Sequence, residues 1–257
     1  MPKPVFFYNP SADTETQRKI VHSLGLLEVE DCSHHRLFMH LADNMLTLSY
    51  NDLPSQAELS IAVDFSHSRR DLKAKKQGQE LLLRAIKTRG GQPLTILDAT
   101  GGLGRDAFLI AQAGYNVTVL ERDDIVSALL ADGMKRGLQN TDTRETCQRM
   151  TLHHTEAVKY MLELHQQFEV IYLDPMFPDR GKTGKAKQEL QVLQHLLPDH
   201  DDPCTLLPAA WNTLPKKIVV KRPVKGPQLC DLAPEYSLRG KTIRYDVYLP
   251  GSTKNPF

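Results

Sequence analysis

One short segment, Leu97–Asp106, constrains the fold of this 257-residue chain more than any other. A hydrophobic strand there breaks into the turn Thr100-Gly101-Gly102-Leu103-Gly104, which opens a helix. Glycines let the backbone take positive φ and let a ligand approach closely, and a helix start presents unpaired N–H groups. The segment therefore predicts a loop of the kind that holds nucleotide-derived cofactors.

Downstream of residue 79, segments with helical spacing alternate with short apolar strands. The expected helices are Gln79–Lys87, Arg105–Ala113, Asp123–Gly137, Ala157–His165 and Lys187–His195, and the expected strands are Leu94–Asp98, Asn116–Leu120, Met150–His153, Val170–Leu173, Lys217–Lys221, Tyr236–Leu238 and Thr242–Tyr248. This alternation predicts an α/β fold with a mostly parallel sheet built from right-handed βαβ units. Residues 1–65 carry no recognisable motif and combine one helix, Thr14–Leu24, with short strands. We therefore predict a small α+β subdomain over 1–65 and a main domain over 66–257.

Composition narrows the class of protein. Hydrophobic residues make up 40% and charged residues 25%, no apolar run approaches the roughly 20 residues of a membrane span, and the first residues lack the apolar core of a signal peptide. We therefore expect a cytoplasmic protein that does not bind membranes. The four cysteines are widely spaced and the two His-His pairs point adjacent side chains in different directions, so we expect no metal.

Basic residues are unevenly distributed, although the formal net charge is only +1. Fourteen of the 32 lysines and arginines fall in three windows: Arg69, Arg70, Lys73, Lys75 and Lys76; Arg180, Lys182, Lys185 and Lys187; and Lys216, Lys217, Lys221, Arg222 and Lys225. The windows are nearly free of acidic residues, so each keeps a local positive potential that favours phosphates. For any single window, a solvated surface is the alternative.

Polar residues follow four of the expected strands. Asp98, Glu121, the turn His154-Thr155-Glu156 and Asp174 lie at or just beyond strand ends. In open α/β sheets, ligands bind beyond the carboxyl ends of the strands, where the strand order switches. We therefore expect these residues around one crevice, the alternative being that they only form turns.

Charge around the glycine turn separates two classes of cofactor. Gly102–Ala107 also fits the G-x-G-x-x-G/A pattern of dinucleotide sites, which place a pyrophosphate at the helix start. Asp98 before the turn and Asp106 inside the helix would repel a diphosphate, but they would attract the ammonium and sulfonium groups of S-adenosylmethionine. The pattern favours S-adenosylmethionine. Glu121, seventeen residues after Gly104, is near the spacing at which an acidic side chain binds ribose hydroxyls.

A second motif, Leu173-Asp174-Pro175-Met176-Phe177-Pro178, follows the strand Val170–Leu173. It resembles the (Asp/Asn)-Pro-Pro-(Tyr/Phe) motif of class I S-adenosylmethionine-dependent methyltransferases that act on exocyclic amino groups of bases, with Met176 in place of the second proline. Together with Asp98–Phe108, Leu120–Arg122, Ala128–Gly133 and Val219–Pro223, it resembles the bacterial ribosomal RNA small subunit methyltransferase J family. The resemblance covers most of residues 61–250.

This resemblance implies a class I methyltransferase fold, with a Rossmann-like sheet closed by an antiparallel carboxy-terminal hairpin. It implies methylation of guanine N2 in small-subunit ribosomal RNA, either free or in the assembling 30S subunit. The expected cofactor-binding residues are Asp98, Gly101, Gly102, Gly104, Arg105, Asp106, Glu121, Arg122, Glu156, Ala157 and Asp174. The expected RNA-binding residues are Arg69, Arg70, Lys73, Arg180, Lys182, Lys221 and Arg222.

The resemblance also assigns catalytic roles. Asp174 and the backbone carbonyl of Pro175 would bind the target amine, and Phe177 would stack on a base extruded from its helix. Three alternatives stay open at this point: an adenine-N6 methyltransferase acting on DNA or RNA, a nicotinamide-dependent reductase, and a non-catalytic RNA-binding module.

Overall fold

The computed structural model describes residues 3–52, 57–66, 76–88, 95–163, 167–175, 192–193, 196, 203–251 and 256–257. They form two compact units. The first contains the described residues of ranges 1–64, 128–135 and 177–200, and the second contains those of ranges 65–127, 136–176 and 201–257. The expected domain boundary between residues 65 and 66 stays a prediction.

The amino-terminal part of the first unit holds a five-stranded sheet and one helix. Its elements are β1 (Val5–Phe7), α1 (Thr14–Leu24), β2 (Glu28–Val29), β3 (Leu37–Ala42), β4 (Met45–Asp52) and β5 (Ala57–Ile61), and the strand order is β2-β1-β3-β4-β5. Helix α1 begins where the Asp13 carboxylate accepts a hydrogen bond from the Thr16 N–H at 2.7 Å. Asp43 and Asn44 both have positive φ, which suits the two-residue turn between β3 and β4.

The second unit is built on a seven-stranded sheet. Its strands are β6 (Thr95–Asp98), β7 (Asn116–Glu121), β8 (Met150–His154), β9 (Val170–Leu173), β10 (Lys217–Pro223), β11 (Tyr236–Arg239) and β12 (Ile243–Tyr248), in the order β11-β12-β10-β9-β6-β7-β8. The five strands from β10 to β8 are parallel, while β12 runs antiparallel to both β10 and β11. The predicted α/β sheet with its antiparallel carboxy-terminal hairpin is confirmed.

Six helices are described after the first sheet: α2 (Lys76–Ile86), α3 (Arg105–Gln112), α4 (Asp124–Gln139), α5 (Arg144–Gln148), α6 (Ala157–Leu162) and α7 (Leu206–Asn212). Helices α5 and α7 were not expected, because five residues are too few to show a period and α7 is almost uniformly apolar with Pro208 in its first turn. The helix expected over Lys187–His195 lies largely outside the described residues. Within the described part of the chain, no helix is long and apolar enough to cross a membrane.

The strand order shows where a ligand is expected to bind on the seven-stranded sheet of the second unit. The chain moves outward from β6 through β7 to β8, and then returns to β9 on the other side of β6. This reversal is the topological switch point, beside which ligands bind at the carboxyl ends of the strands. Ile96, Leu97, Val170 and Ile171 are fully buried, as expected for central parallel strands covered on both faces.

Candidate active site

Glycines shape the turn that follows β6. A Cβ atom on Gly101 would lie 2.6 Å from Val119 Cγ1 and 2.9 Å from the carbonyl oxygen of Leu120, so this position admits no side chain. The Gly101 N–H donates to that same oxygen at 2.8 Å. Gly104, with φ of 72°, then precedes helix α3. The turn is therefore held against β7 and leads directly into a helix start, which is the geometry of a cofactor-binding loop.

Glu121 ends β7 and supports the same turn. Its carboxylate accepts hydrogen bonds from the N–H groups of Gly102 at 2.7 Å and Asp123 at 2.9 Å. Burial raises the pKa of Glu121, while the two N–H donors oppose that change. The side chain thus lies beside the glycine turn, and its contact with ribose hydroxyls stays a prediction.

Lys221 joins two acidic segments of the second unit. Its Nζ donates to Asp106 Oδ2 at 2.7 Å and to Asp174 Oδ2 at 2.8 Å. The hydroxyl of Tyr172 donates to the same oxygen of Asp106 at 2.6 Å. Carboxylates from α3 and from the residue that follows β9 therefore meet at one ammonium group from β10, and the glycine loop and the Asp-Pro motif belong to one site.

The charges in this cluster stabilise one another. Burial disfavours the carboxylate of Asp106, but Lys221 and the Tyr172 hydroxyl outweigh burial and lower the pKa of Asp106. Burial likewise disfavours the ammonium group of Lys221, but Asp174 and Asp106 raise its pKa well above the usual range. Burial and the neighbouring carboxylates also raise the pKa of Tyr172. At neutral pH, Asp106 is thus ionised, Lys221 is charged and Tyr172 is a neutral hydrogen-bond donor.

Asp98, the last residue of β6, is 1% exposed. Its carboxyl group accepts a hydrogen bond from the Thr100 N–H at 3.1 Å, and Thr100 Oγ1 accepts one from the Asp174 N–H at 2.7 Å. Burial, together with the charges of Asp106 and Asp174, raises the pKa of Asp98 to about 8. Asp98 therefore carries a proton near neutral pH, and a cation bound nearby would favour its ionised form.

Replacing Asp98 with asparagine should change how stability depends on pH. The pKa of Asp98 is 3.8 for the free group and about 8 in the folded protein, so the folded state holds this proton more tightly than the unfolded state does. The stabilisation of the fold by this proton is complete below pH 4 and is lost as pH rises through 8. The asparagine variant has no such proton to lose. Its free energy of unfolding relative to wild type should therefore rise by about 1 kcal/mol per pH unit between pH 5.5 and 7.5.

Urea denaturation at several pH values measures this difference. Asp43→Asn, at an exposed turn position, is the matched control and should show a constant offset. A constant offset for Asp98→Asn as well would mean that Asp98 does not titrate in this range.

The other predicted cofactor residues lie near the ends of β7 and β8 or at the start of α3. The Glu156 carboxylate caps helix α6 by accepting two backbone N–H hydrogen bonds, at 2.9 and 2.6 Å, a role that the sequence did not assign. Ala157 is buried in the first turn of that helix, whereas Arg105 and Arg122 are exposed. Their contacts with the cofactor stay predictions.

The structure does not support the prediction that Lys221 and Arg222 bind RNA. Lys221 is paired with two carboxylates of the site, and Arg222 is 2% exposed, with its guanidinium donating to the Pro227 carbonyl oxygen at 2.6 and 2.8 Å. Lys217 is also buried and donates to two backbone carbonyl oxygens. Neighbouring side chains on β10 point to opposite faces of the sheet, so a basic run in the sequence is divided in the fold.

Several predicted site residues lie outside the described residues: Phe177, Arg69, Arg70, Lys73, Arg180 and Lys182. Their roles stay predictions. Pro175 is described and is buried, two residues after the end of β9. Within the described ranges, no group of three or more histidine, cysteine or acidic side chains is arranged to hold a metal ion.

Known proteins resemble the chain along most of its length. A family model described as "Putative SAM-dependent methyltransferase" matches residues 20–250. Ribosomal RNA small subunit methyltransferase J of Neisseria meningitidis serogroup C is 35% identical over 243 residues, covering 93% of this chain and 95% of that protein. The protein of the same name from Psychromonas ingrahamii is 37% identical over 247 residues, covering 94% of each. The chain belongs to the ribosomal RNA small subunit methyltransferase J family.

A solved structure from the same group of enzymes agrees with this assignment. The S-adenosylmethionine-dependent methyltransferase of Neisseria gonorrhoeae superposes with a TM-score of 0.78 at 30% identity, covering 97% of both chains. The methyltransferase described here therefore has the class I fold and uses S-adenosylmethionine, and the nicotinamide-dependent alternative is wrong.

The arrangement of charges suits this cofactor. Asp106 and Asp174 both bind Lys221, and the charges of all three act on the nearby carboxyl group of Asp98. A ligand that carries an ammonium and a sulfonium group would compensate the remaining negative charge. The glycine turn, which admits no side chain at position 101, provides the close backbone approach.

Proposed function

We propose that this methyltransferase acts on the exocyclic N2 amine of a guanine in small-subunit ribosomal RNA. The names of its relatives support the substrate class. The observation that carries the proposal is the lysine shared by Asp106 of the cofactor loop and Asp174 of the Asp-Pro motif. An amine bound at Asp174 would lie beside the cofactor loop, as methyl transfer requires. Such a substrate would place the enzyme in the cytoplasm.

The chemistry needs no covalent nucleophile. When bound, S-adenosylmethionine supplies a methyl group on a positively charged sulfur. A guanine amine is a poor nucleophile because its lone pair is delocalised into the ring. Hydrogen bonds from the amine to the Asp174 carboxylate and the Pro175 carbonyl oxygen would localise electron density on the amine nitrogen. As the N–C bond forms and the S–C bond breaks, nitrogen loses a proton, for which we assign Asp174 as the acceptor. The rate then depends on positioning and electrostatics.

Lys221 acts through Asp174 in this scheme and is a positioning residue. Its ammonium group binds Oδ2 of both carboxylates, which holds Asp174 in a defined orientation relative to Asp106. Phe177 would stack on the extruded base, and Arg69, Arg70, Lys73, Arg180 and Lys182 would bind RNA phosphates.

Nucleoside analysis tests the proposed substrate. Small-subunit ribosomal RNA from a strain that lacks this enzyme is incubated with the purified protein and isotopically labelled S-adenosylmethionine, then digested and examined by mass spectrometry. We expect labelled N2-methylguanosine. Labelled N6-methyladenosine would contradict the base assignment, and an unlabelled digest from both free RNA and 30S particles would contradict the RNA substrate. Comparing the two substrates shows whether the enzyme modifies free RNA or the assembled subunit.

A further inference from the structure

A polar pocket lies at the carboxyl end of β10, on the side of the sheet formed by the carboxy-terminal hairpin. It has a volume of about 360 Å³ and is lined by the loop 224–228 together with Asp231, Ser237, Arg239 and Arg244. This volume is in the range of pockets that hold small organic ligands, so a nucleotide-sized group can enter. None of the described residues that line it is aromatic, which disfavours base stacking and favours contacts with a sugar-phosphate backbone.

Buried arginines hold the loop of this pocket in place. Nη1 of Arg244 donates to the carbonyl oxygens of Pro223, Val224 and Gly226 at 2.6, 3.0 and 2.9 Å. Arg222 donates twice to the carbonyl oxygen of Pro227. Loop carbonyls that point inward to guanidinium groups leave the loop with little freedom, so the pocket is formed before any ligand binds.

The accessible charge of the pocket is positive. Lys225 and Arg239 are exposed on its lining, and they outnumber the exposed carboxylate of Asp231. Arg244 is paired with the fully buried Asp246, which also accepts a hydrogen bond from Ser237 at 2.6 Å. Exposed cations on a loop that is held in place are suited to bind a phosphate group. They neutralise its charge and make no sequence-specific contact with a base.

The pocket also opens on the same edge of the sheet as the candidate active site. Lys221 reaches Asp174 from β10, and the pocket loop begins immediately after Pro223, two residues further along that strand. Arg239 on β11 lies three strands away from Asp174, which corresponds to about 14 Å at roughly 4.8 Å per strand. Because Arg244 lies on the face opposite Lys221, a polynucleotide with one base at Asp174 would reach this pocket by crossing the carboxyl edge of the sheet.

We propose that the pocket binds phosphate groups of the RNA strand next to the methylated nucleotide. The inference rests on the proposed RNA substrate and assigns Lys225 and Arg239 as the residues that bind its backbone. Arg239 was not among the RNA-binding residues expected from the sequence. Lys225 belonged to a window in which Lys217 and Arg222 are buried and Lys216 and Lys221 are paired with carboxylates.

Charge reversal tests this site. The variant K225E/R239E is compared with K135E/K159E, which makes the same change of charge at two exposed lysines elsewhere. Binding of a labelled small-subunit ribosomal RNA fragment is measured from 50 to 200 mM salt. We expect the pocket variant to bind at least tenfold more weakly than the control variant at 100 mM salt, with a salt slope smaller by about 1.4 because two contacts to single-stranded RNA are lost. Affinity for S-adenosylhomocysteine should be unchanged, and K225R/R239K should restore RNA binding.

Equal affinity and equal salt slope in the two charge-reversal variants would overturn the proposal. Loss of methylation on 30S particles with unchanged binding to free RNA would also overturn it, in favour of a contact with a ribosomal protein. The wild-type enzyme is assayed for guanine methylation in the same preparation. If it methylates no guanine, the proposed function is wrong, whereas the RNA-binding comparison still decides the role of the pocket.

Discussion

Replacing Asp174 with asparagine should lower kcat by about 10²–10³-fold while changing RNA affinity by no more than a few-fold. The amide cannot take the proton that the amine loses, and it keeps only one oxygen that can accept a hydrogen bond from the amine. The carboxylate stabilises the amine most strongly as charge develops on nitrogen. The substitution should therefore destabilise the transition state and leave substrate binding nearly unchanged.

Single-turnover methylation of small-subunit ribosomal RNA with saturating S-adenosylmethionine measures this effect. The matched control is Asp142→Asn, an exposed aspartate remote from the glycine loop in sequence, which should keep the wild-type rate. Circular dichroism and thermal melting must first show that both variants are folded. A folded Asp174→Asn variant with the wild-type rate would mean that another group binds the amine.

Replacing Asp246 with alanine should destabilise the protein by about 3–5 kcal/mol, because it leaves the buried guanidinium of Arg244 without its carboxylate. Asp246 is fully buried and accepts three hydrogen bonds from Arg244, at 2.9 to 3.1 Å, as well as one from Ser237. Removing only that last bond, by Ser237→Ala, should cost about 1 kcal/mol.

Urea denaturation of Asp246→Ala, Ser237→Ala and the double variant R244M/D246L distinguishes the ion pair from simple packing. The double variant leaves no buried charge without its partner, so any loss of stability beyond that of Asp246→Ala measures the hydrogen bonds from Arg244 to the loop carbonyl oxygens. If Asp246→Ala lost no more stability than Ser237→Ala, water or another group would be compensating Arg244.

Local patterns were sufficient for the central elements of the sheet. The boundaries expected for Val170–Leu173 and for the start of the helix at Arg105 agree with the structure, since an apolar strand followed by a glycine turn or a proline leaves few alternatives. The short helix α5 and the apolar helix α7 escaped prediction, because neither shows a clear helical period.

The candidate site was only partly visible in the sequence. Asp98, Glu121 and Asp174 could be placed at one edge because the carboxyl ends of parallel strands meet there. Tyr172 was not singled out, since an aromatic residue inside a buried strand looks like any core residue until its hydroxyl is found 2.6 Å from Asp106. A tyrosine two residues before the motif aspartate is the signal that could have been followed.

The sequence by itself thus determined the α/β class, the cofactor loop and the family, because these depend on local periodicity and on motifs carried by consecutive residues. Only the tertiary structure decided what the basic residues of β10 do. Lys221 pairs across the sheet with Tyr245 and Arg222 with Arg244, so one side chain reaches the acidic site and its neighbour is buried on the opposite face. Strand register and burial set these roles, and both arise from contacts between residues far apart in the chain.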